Sequence, residues 1–544
     1  VFSWRERQKW LNTFAPQASS HEAFLKDPSE TKAPLSHTHR GPRDFDICVI
    51  GGGITGGAIA REAAAAGLKT LLLEKNDFAW GTSSRSSKLV HGGVRYLENL
   101  EFKLVAESTL ERSRLWKVAP DLVKPLAFLF PAYKNSRLPL WMLNIGLWLY
   151  DILSLFSSPT LHKKLGAEKT SKLEPALRSQ ELKGSIYYWD AETDDSLLTL
   201  SNILDAHKLG AVCLNKSEVT RIEWNSLTPH VENAFHKVIF TDKNIHTNGS
   251  KNGDFEIYSK VIVSAAGPWT DELFTKTFHL PSHRMATTRG SHIVVSKEKI
   301  PLNHAVVMTH PKDGRVLFGI PWPHETVIGT TDVFDQGNPD KTVITSEEVH
   351  YLIQASQYFF PRYPIHEKDI LSVWSGLRPL LAPPKNASAS EISREHSIEW
   401  FNPGCLVIAG GKLTTHRVMA VQTLERILRE TNMWEVRLFK NRTGLSTKFR
   451  NFPKLVQTGS RNITREMILE ICQNQMVLTL EDFLVRRTDF FYWLPQNGLE
   501  KLDELKSPLC DFFNWTQGDW QRQVENYKDY LKTNMDIALN RSRD

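Results

Sequence analysis

Residues 46–75, DICVIGGGITGGAIAREAAAAGLKTLLLEK, leave little choice of local fold. The apolar run at 46–50 has the length of a buried strand. Residues 54–66 form an alanine-rich helical run, and 69–74 form a second apolar strand ending in Glu74. Gly67 stands where a helix C-terminus favours positive φ. Between the first strand and the helix lies Gly51-x-Gly53-x-x-Gly56, with Gly57 next. Such a strand–turn–helix–strand unit allows a tight turn and close approach of the backbone to a diphosphate. The helix N-terminus attracts that anion through its unsatisfied N–H groups and its dipole. Glu74 lies 21 residues after Gly53, where a carboxylate accepts hydrogen bonds from an adenosine ribose. An acid at that position disfavours a 2′-phosphate. The unit predicts dinucleotide binding.

Two later apolar strands repeat the style. Residues 260–265 run into Ala-Gly-Pro, which contains Gly267, and 405–408 run into Ala-Gly-Gly and a helical pattern at 412–428. Three strands of one sheet thus come from segments some 150–200 residues apart, so the chain between them must build a second domain. Within it, 291–296, 316–320 and 327–331 read as strands of a mostly antiparallel sheet. From about residue 432 apolar residues recur at helical spacing (Ile463, Met467, Ile471; Trp520, Val524, Tyr527, Leu531), predicting a small all-helical domain. The fold class is α/β with an all-α C-terminal part.

Length agrees, since 544 residues exceed one hydrophobic core and divide into roughly two to four units. With 41% hydrophobic and 24% charged residues, a disordered, fibrous or multi-spanning chain is excluded. The five cysteines show no metal-ligand spacing, so neither a metal site nor a disulfide framework is expected, and a reducing compartment is favoured. A net charge of +6 spread over this length gives no nucleic-acid groove and only weak support for an acidic membrane surface or an anionic substrate. The start, VFSWRERQKWLNTF, has early charges and no apolar core, so no signal peptide is expected. Residues 1–43 read as an extension, either docked on the body or trailing from it.

Residues 138–156 stand apart. LPLWMLNIGLWLY carries no charge, yet Pro139 and Asp151 argue against the roughly 20 unbroken apolar residues of a membrane span. On a helix, Asn144, Asp151, Ser154 and Ser158 share a narrow stripe, leaving a wide face with Trp141, Ile145, Trp148 and Ile152. That pattern fits a helix lying in a membrane interface, or a buried core helix.

TSSRSSKLVHGGVRYLE at 82–98 selects between nicotinamide and flavin. A dense run of hydroxyls directly after the second strand offers partners for a flavin's diphosphate, ribityl chain and ring, which a nicotinamide cofactor does not need there. GGGITGG, TSSRSSKLVHGGVRYLE, GPWTDEL, GSHIVV, IPWPHETVIGTTD, SGLRPL and GGKLTTHR then occur in the order found in the respiratory FAD-dependent glycerol-3-phosphate dehydrogenases. The chain resembles that family over roughly residues 44–430, and more weakly through FLVRRTDFFYW in the tail.

The resemblance implies a glutathione-reductase-like FAD domain of Rossmann type from 44–135, 186–275 and 370–431. It implies a substrate cap from 136–185 and 276–369, and a C-terminal helical domain at 432–544. It further implies glycerol 3-phosphate as substrate, membrane quinone as electron acceptor, and a peripheral place on the cytoplasmic face of the inner membrane or in the cytoplasm. A homodimer stays open. Carried over residue by residue, it places His91, Arg95, Arg378 and Lys412 in catalysis, and Arg95, Arg378, Lys412 and, in second rank, Arg394 on the phosphate. Cofactor contacts fall on Gly51, Gly53, Gly56, Glu74, Lys75, Thr82, Ser83, Ser84, Ser87, Leu89, Val219, Gly267, Gly411 and Thr414. Glu62, Ala66 and His416 stand where the family usually has aspartate, arginine and tyrosine.

The chemistry of the residues points the same way. A phosphate dianion is best held by forked guanidiniums and an ammonium, each charge-assisted hydrogen bond contributing about 1.5–3 kcal/mol. Lys412 either joins that grip or serves the flavin's N1–C2=O edge. His91, with an ordinary histidine pKa of about 6.5, suits removal of the C2 hydroxyl proton as hydride leaves for the flavin. Thr330, Thr331 and Asp332 either border the site or form a strand-to-turn feature. Three rivals remain: an amino-acid or 2-hydroxy-acid enzyme of the same fold, an oxidase that uses oxygen, and a non-catalytic flavin scaffold.

Overall fold

The structure is a computed structural model that describes residues 2–15, 41–98, 100–225, 235–244, 254–279, 284–382, 395–402, 404–431, 455, 462–536 and 539. Strand Asp44–Ile50 lies between Thr70–Leu73 and Asp254–Ser264, parallel to both, with Ile47 in register with Thr70 and Val261. Val212–Leu214 and Cys405–Gly410 extend this sheet in parallel, and His396–Asn402 closes one edge antiparallel. The three expected strands are therefore neighbours. Their apolar runs follow from burial on both faces: Ile47, Cys48 and Val49 are fully buried. Helix Ile54–Ala65 packs on one face beside Asp195–Lys208 and His416–Glu430. Gly57 allows the close approach, because a Cβ there would lie 2.8 Å from Ile203. Helix Trp4–Phe14 docks on the other face. It buries Leu11 and Phe14 and sets buried Arg7 on Asp242 at 2.6 Å.

Among the described residues the second sheet has ten strands. Thr288–Ser296 pairs antiparallel with Glu325–Gly329 and with Ile370–Arg378, and Val123–Tyr133 pairs along its whole length with Leu182–Thr193. Sheet membership departs from the segment boundaries expected from sequence. Val123–Tyr133, most of Leu182–Thr193 and Ile370–Arg378 fall in segments assigned to the FAD domain, yet all are hydrogen-bonded into this second sheet. Those boundaries followed motif positions, whereas sheet membership follows long-range pairing. The strand expected at 327–331 ends at Gly329, leaving Thr330, Thr331 and Asp332 beyond it.

Helix Leu140–Leu153, started by Pro139, packs Leu143, Leu147 and Tyr150 into the core beneath this sheet. Its polar stripe faces the protein. Asp151 is buried and accepts from the His162 ring at 2.7 Å, and Ser154 is buried with its hydroxyl on the Asp151 carbonyl. The tryptophan face points outward instead: Trp141 is 58%, Ile145 60%, Trp148 47% and Ile152 52% exposed. This inverts the usual arrangement for a helix facing water. Among the described residues no helix is long and apolar enough to cross a membrane.

The C-terminal part is helical, as expected: Arg465–Asn474, Leu480–Arg486, Leu502–Phe513 and Gln517–Leu531 enclose Ile471, Tyr527 and Leu531.

Candidate active site

Two cavities meet between the sheets. One, of about 510 Å³, lies at the C-terminal ends of the parallel strands and is lined by Gly51, Gly53, Glu74, Lys75, Ser83, Val219 and Gly267. This is where open parallel sheets bind ligands. The other, of about 520 Å³, is lined by Ser87, Leu89, His91, His292, Arg378 and Thr414, with Met142, Ile145 and Leu149 of helix Leu140–Leu153 on its far side. Thr82, Ser86, Pro379, Gly411, Lys412 and Leu413 belong to both walls, so the two are arms of one cleft.

The glycine turn explains the first arm. Gly51 has φ +112°, and a Cβ there would lie 2.5 Å from the Ala265 carbonyl. Gly56 sits in the helix, where a Cβ would be 1.9 Å from the Gly51 carbonyl; it lines neither arm but lets the helix close on the turn. Gly53 caps the helix without any side chain. Glu74 is fixed by the amides of Gly52 and Asn76, each at 2.7 Å. Burial raises its carboxyl pKa, and those two amides work against the rise. Lys75 pairs with Asp340 at 2.9 Å beside the Trp269 ring. Ser83 accepts from the Ile54 amide at the helix start, at 2.9 Å.

The hydroxyl run divides by direction. Thr82 donates to the Leu377 carbonyl at 2.6 Å and faces both arms, and Ser87 lies 2.9 Å from His292 Nε2. Ser84 turns inward: it is buried, lines neither arm, and its carbonyl accepts from Tyr492 at 3.0 Å.

In the second arm the Arg378 guanidinium is held by the Asp332 carboxylate, the Thr330 hydroxyl and the Thr331 carbonyl, all at 3.0 Å. Thr330, Thr331 and Asp332 thus border the site and aim the arginine. Lys412 Nζ lies 3.7 Å from the Tyr96 ring centre. Thr414 donates to the His91 carbonyl at 3.3 Å. The next residue, Gly92, donates its amide to Asp190 and to the Tyr150 hydroxyl, both at 3.1 Å, and Arg112 closes that hub on Asp190 at 2.7 Å. Arg95 belongs to the turn Val94–Leu97 on the rim of this arm, but its side chain lies outside the described residues, as does Arg394 entirely.

Two side chains escaped the sequence reading. His292 lies in GSHIVV, within the strand expected at 291–296. It is buried, stacks on Trp374 at 4.6 Å and lines the second arm. Burial, with help from Arg378 and Lys88, drives its pKa down to about 3, so it is neutral near pH 7. Arg315, which lines the same arm and donates to the Asp332 carbonyl, had no motif to announce it.

A cleft with a dinucleotide arm opening into a second, cation-walled arm is the form of a flavin-dependent oxidoreductase, and residues 46–422 match the FAD dependent oxidoreductase family. The chain is 32% identical over 524 residues to the aerobic glycerol-3-phosphate dehydrogenase of Staphylococcus haemolyticus, spanning 87% of this chain and 92% of that one. It is 36% identical over 544 residues to the same enzyme of Staphylococcus aureus, spanning 90% and 94%. The glycerol-3-phosphate dehydrogenase of Bacillus halodurans, solved with FAD, superimposes with a TM-score of 0.69 at 25% identity over the full length of both chains. The L-α-glycerophosphate oxidase of Mycoplasma pneumoniae shares the fold at TM-score 0.53 and 21% identity, covering 77% of this chain and 99% of that one. The chain belongs to the aerobic glycerol-3-phosphate dehydrogenase family of FAD-dependent oxidoreductases, and its cofactor is FAD. The residues present fit that cofactor: Gly53 leaves the helix N-terminus uncovered, the Glu74 carboxylate stands at the second strand's end, and the first arm opens at Lys412 into the second.

Proposed function

We propose that this enzyme oxidises sn-glycerol 3-phosphate to dihydroxyacetone phosphate and passes the electrons to a membrane quinone. The observation that carries the reading is that Arg378, Lys412 and His91 wall one arm of a cleft whose other arm is built for the dinucleotide. Bound FAD supplies the hydride acceptor for oxidation at carbon.

Arg378 and Lys412 hold the phosphate. Charge-assisted hydrogen bonds from a guanidinium and an ammonium suit a dianion, whereas a singly charged carboxylate substrate is served by one arginine. Asp332, Thr330 and Thr331 keep the Arg378 plane fixed before substrate arrives, which lowers the ordering cost of binding. Arg95, carried over from the family resemblance, is the third cation assigned to the phosphate. His91 takes the C2 hydroxyl proton. His292, whose pKa is pushed to about 3, is a weak proton acceptor and instead orients the Ser87 hydroxyl.

The far wall supports a quinone as acceptor. Met142, Ile145 and Leu149 line the second arm, while Trp141, Ile145, Trp148 and Ile152 of the same helix face outward. An apolar acceptor dissolved in a bilayer reaches the cleft along this helix, and a helix that turns its apolar face outward lies in the interface plane. In this reading the FAD-binding, cap and helical units have the roles that the resemblance implies, with the cap sheet taking in Val123–Tyr133, Leu182–Thr193 and Ile370–Arg378.

The test is anaerobic bleaching of the flavin followed by acceptor assay. Glycerol 3-phosphate must bleach it where glycerol and 2-hydroxyglutarate do not, and a short-chain quinone must restore the colour. Rapid peroxide release in air without quinone would assign an oxidase instead.

A further inference from the structure

We propose that the C-terminal helical region is a clamp on the cofactor loop, and that Arg487 and Tyr492 are positioning residues for FAD. The proposal rests on the reading that the loop at 77–88 touches the flavin through Thr82, Ser83 and Ser87.

That loop has two faces. One carries Thr82, Ser83 and Ser87 to the cleft. The opposite face is gripped by the C-terminal region at several points. At the near end Asp77 is fully buried, and its carboxylate accepts from Arg486 Nε at 2.6 Å, from both Arg487 Nη atoms at 2.8 Å, and from Asn215 at 3.0 Å. In the middle the Tyr492 hydroxyl donates to the Ser84 carbonyl at 3.0 Å, and the Ser84 hydroxyl donates to the Gly81 carbonyl at 3.4 Å. At the far end Lys88, 3% exposed, pairs with Asp195 at 2.6 Å, approaches Asp489 at 3.8 Å and lies 4.5 Å from the Tyr492 ring centre.

The loop cannot hold this course by itself. Ala79 and Lys88 have φ of +62° and +53°, conformations that L-residues adopt only when the surroundings fix them. Against its middle, strand Ile370–Arg378 supplies Trp374, which donates to the Ser86 carbonyl at 3.1 Å and meets the Tyr492 ring edge-on at 5.1 Å. The Arg487 fork is bidentate on a buried carboxylate, so a lysine there keeps the charge but loses one of two parallel bonds. A region more than 390 residues further along the chain, from 486 to 492 against 77 to 88, thereby sets the geometry of the cofactor contacts.

The experiment measures FAD affinity of the full-length protein after flavin removal, by quenching of flavin fluorescence, for Arg487→Lys, Tyr492→Phe, Ser83→Ala and Arg465→Ala. Arg465 pairs with Asp511 on the surface of the same region and is the control. The expected result is a rise in the FAD Kd of about tenfold or more for Arg487→Lys and about threefold or more for Tyr492→Phe, with Arg465→Ala unchanged. If Arg487→Lys does not fold, Tyr492→Phe decides, since it removes one hydroxyl alone. Parent-like FAD affinity in a folded Tyr492→Phe protein, with only the melting temperature lowered, overturns the clamp. Weaker FAD binding in Ser83→Ala alongside that result leaves the loop reading standing without the clamp. Unchanged affinity in every variant overturns both.

Discussion

Lys412 Nζ lies 3.7 Å from the centre of the Tyr96 ring, at the junction of the two arms of the cleft. The ring face attracts the ammonium and fixes it where the dinucleotide arm opens onto the substrate arm, a contact that strengthens as water is excluded. The sequence alone gives Lys412 either to the phosphate or to the flavin, and the side chain lines both arms.

Lys412→Met should lower kcat/KM for glycerol 3-phosphate by about ten- to hundredfold, the loss of one charge-assisted hydrogen bond at roughly 1.4 kcal/mol per factor of ten. Tyr96→Leu should give a smaller loss of the same kind. Steady-state kinetics with a soluble quinone check both. An unchanged KM with lost flavin would move Lys412 to the cofactor alone.

His91→Gln should slow single-turnover flavin bleaching by about a hundredfold or more while FAD stays bound. The pH profile separates the two histidines. Since kcat/KM reports groups of the unliganded enzyme, loss of activity at mildly acidic pH would exclude His292 as the base. A base at His292, whose pKa is depressed to about 3, would leave activity flat until far lower pH.

Trp141→Asp combined with Trp148→Asp should release the protein from lipid vesicles while its melting temperature and flavin content hold, because both side chains are about half exposed already. Co-sedimentation measures this. Persistent binding would place the membrane contact elsewhere.

Asp77 sets an acid limit on stability. Burial alone would raise its carboxyl pKa, yet the charges of Arg487 and Arg486 hold it well below the ordinary value of 3.8. A folded pKa below the unfolded one means that this stabilisation is full above about 3.8 and is lost as pH falls beneath it. Asp77→Asn should therefore cost about 3–5 kcal/mol at neutral pH, since it breaks a buried pair, and should flatten the fall in melting temperature between pH 4 and 2.

Much of the fold was legible because local rules were obeyed. The glycine turn, the apolar strands and Glu74 each carry their purpose in a few adjacent residues, so Asp44–Ile50, Thr70–Leu73 and their neighbours follow from pattern. What escaped depends on partners far along the chain. Ile370–Arg378 reads as any buried strand, and only its register with Thr288–Ser296 assigns it to the second sheet. Ser84 looks like its neighbours in a hydroxyl run, yet it is buried and its carbonyl accepts from Tyr492, 408 residues on. His292 hides in an apolar strand. For helix Leu140–Leu153 the stripe was legible but its direction was not, since His162, the partner that lets Asp151 face inward, lies beyond the helix.

The most direct measurement is an anaerobic titration of the visible flavin spectrum with glycerol 3-phosphate and with glycerol, for the parent protein and Arg378→Lys. A site that grips a phosphate dianion bleaches at low glycerol 3-phosphate, ignores glycerol, and in the Arg378→Lys protein needs about a hundredfold more substrate. Equal bleaching by glycerol, or a titration indifferent to residue 378, would contradict the account.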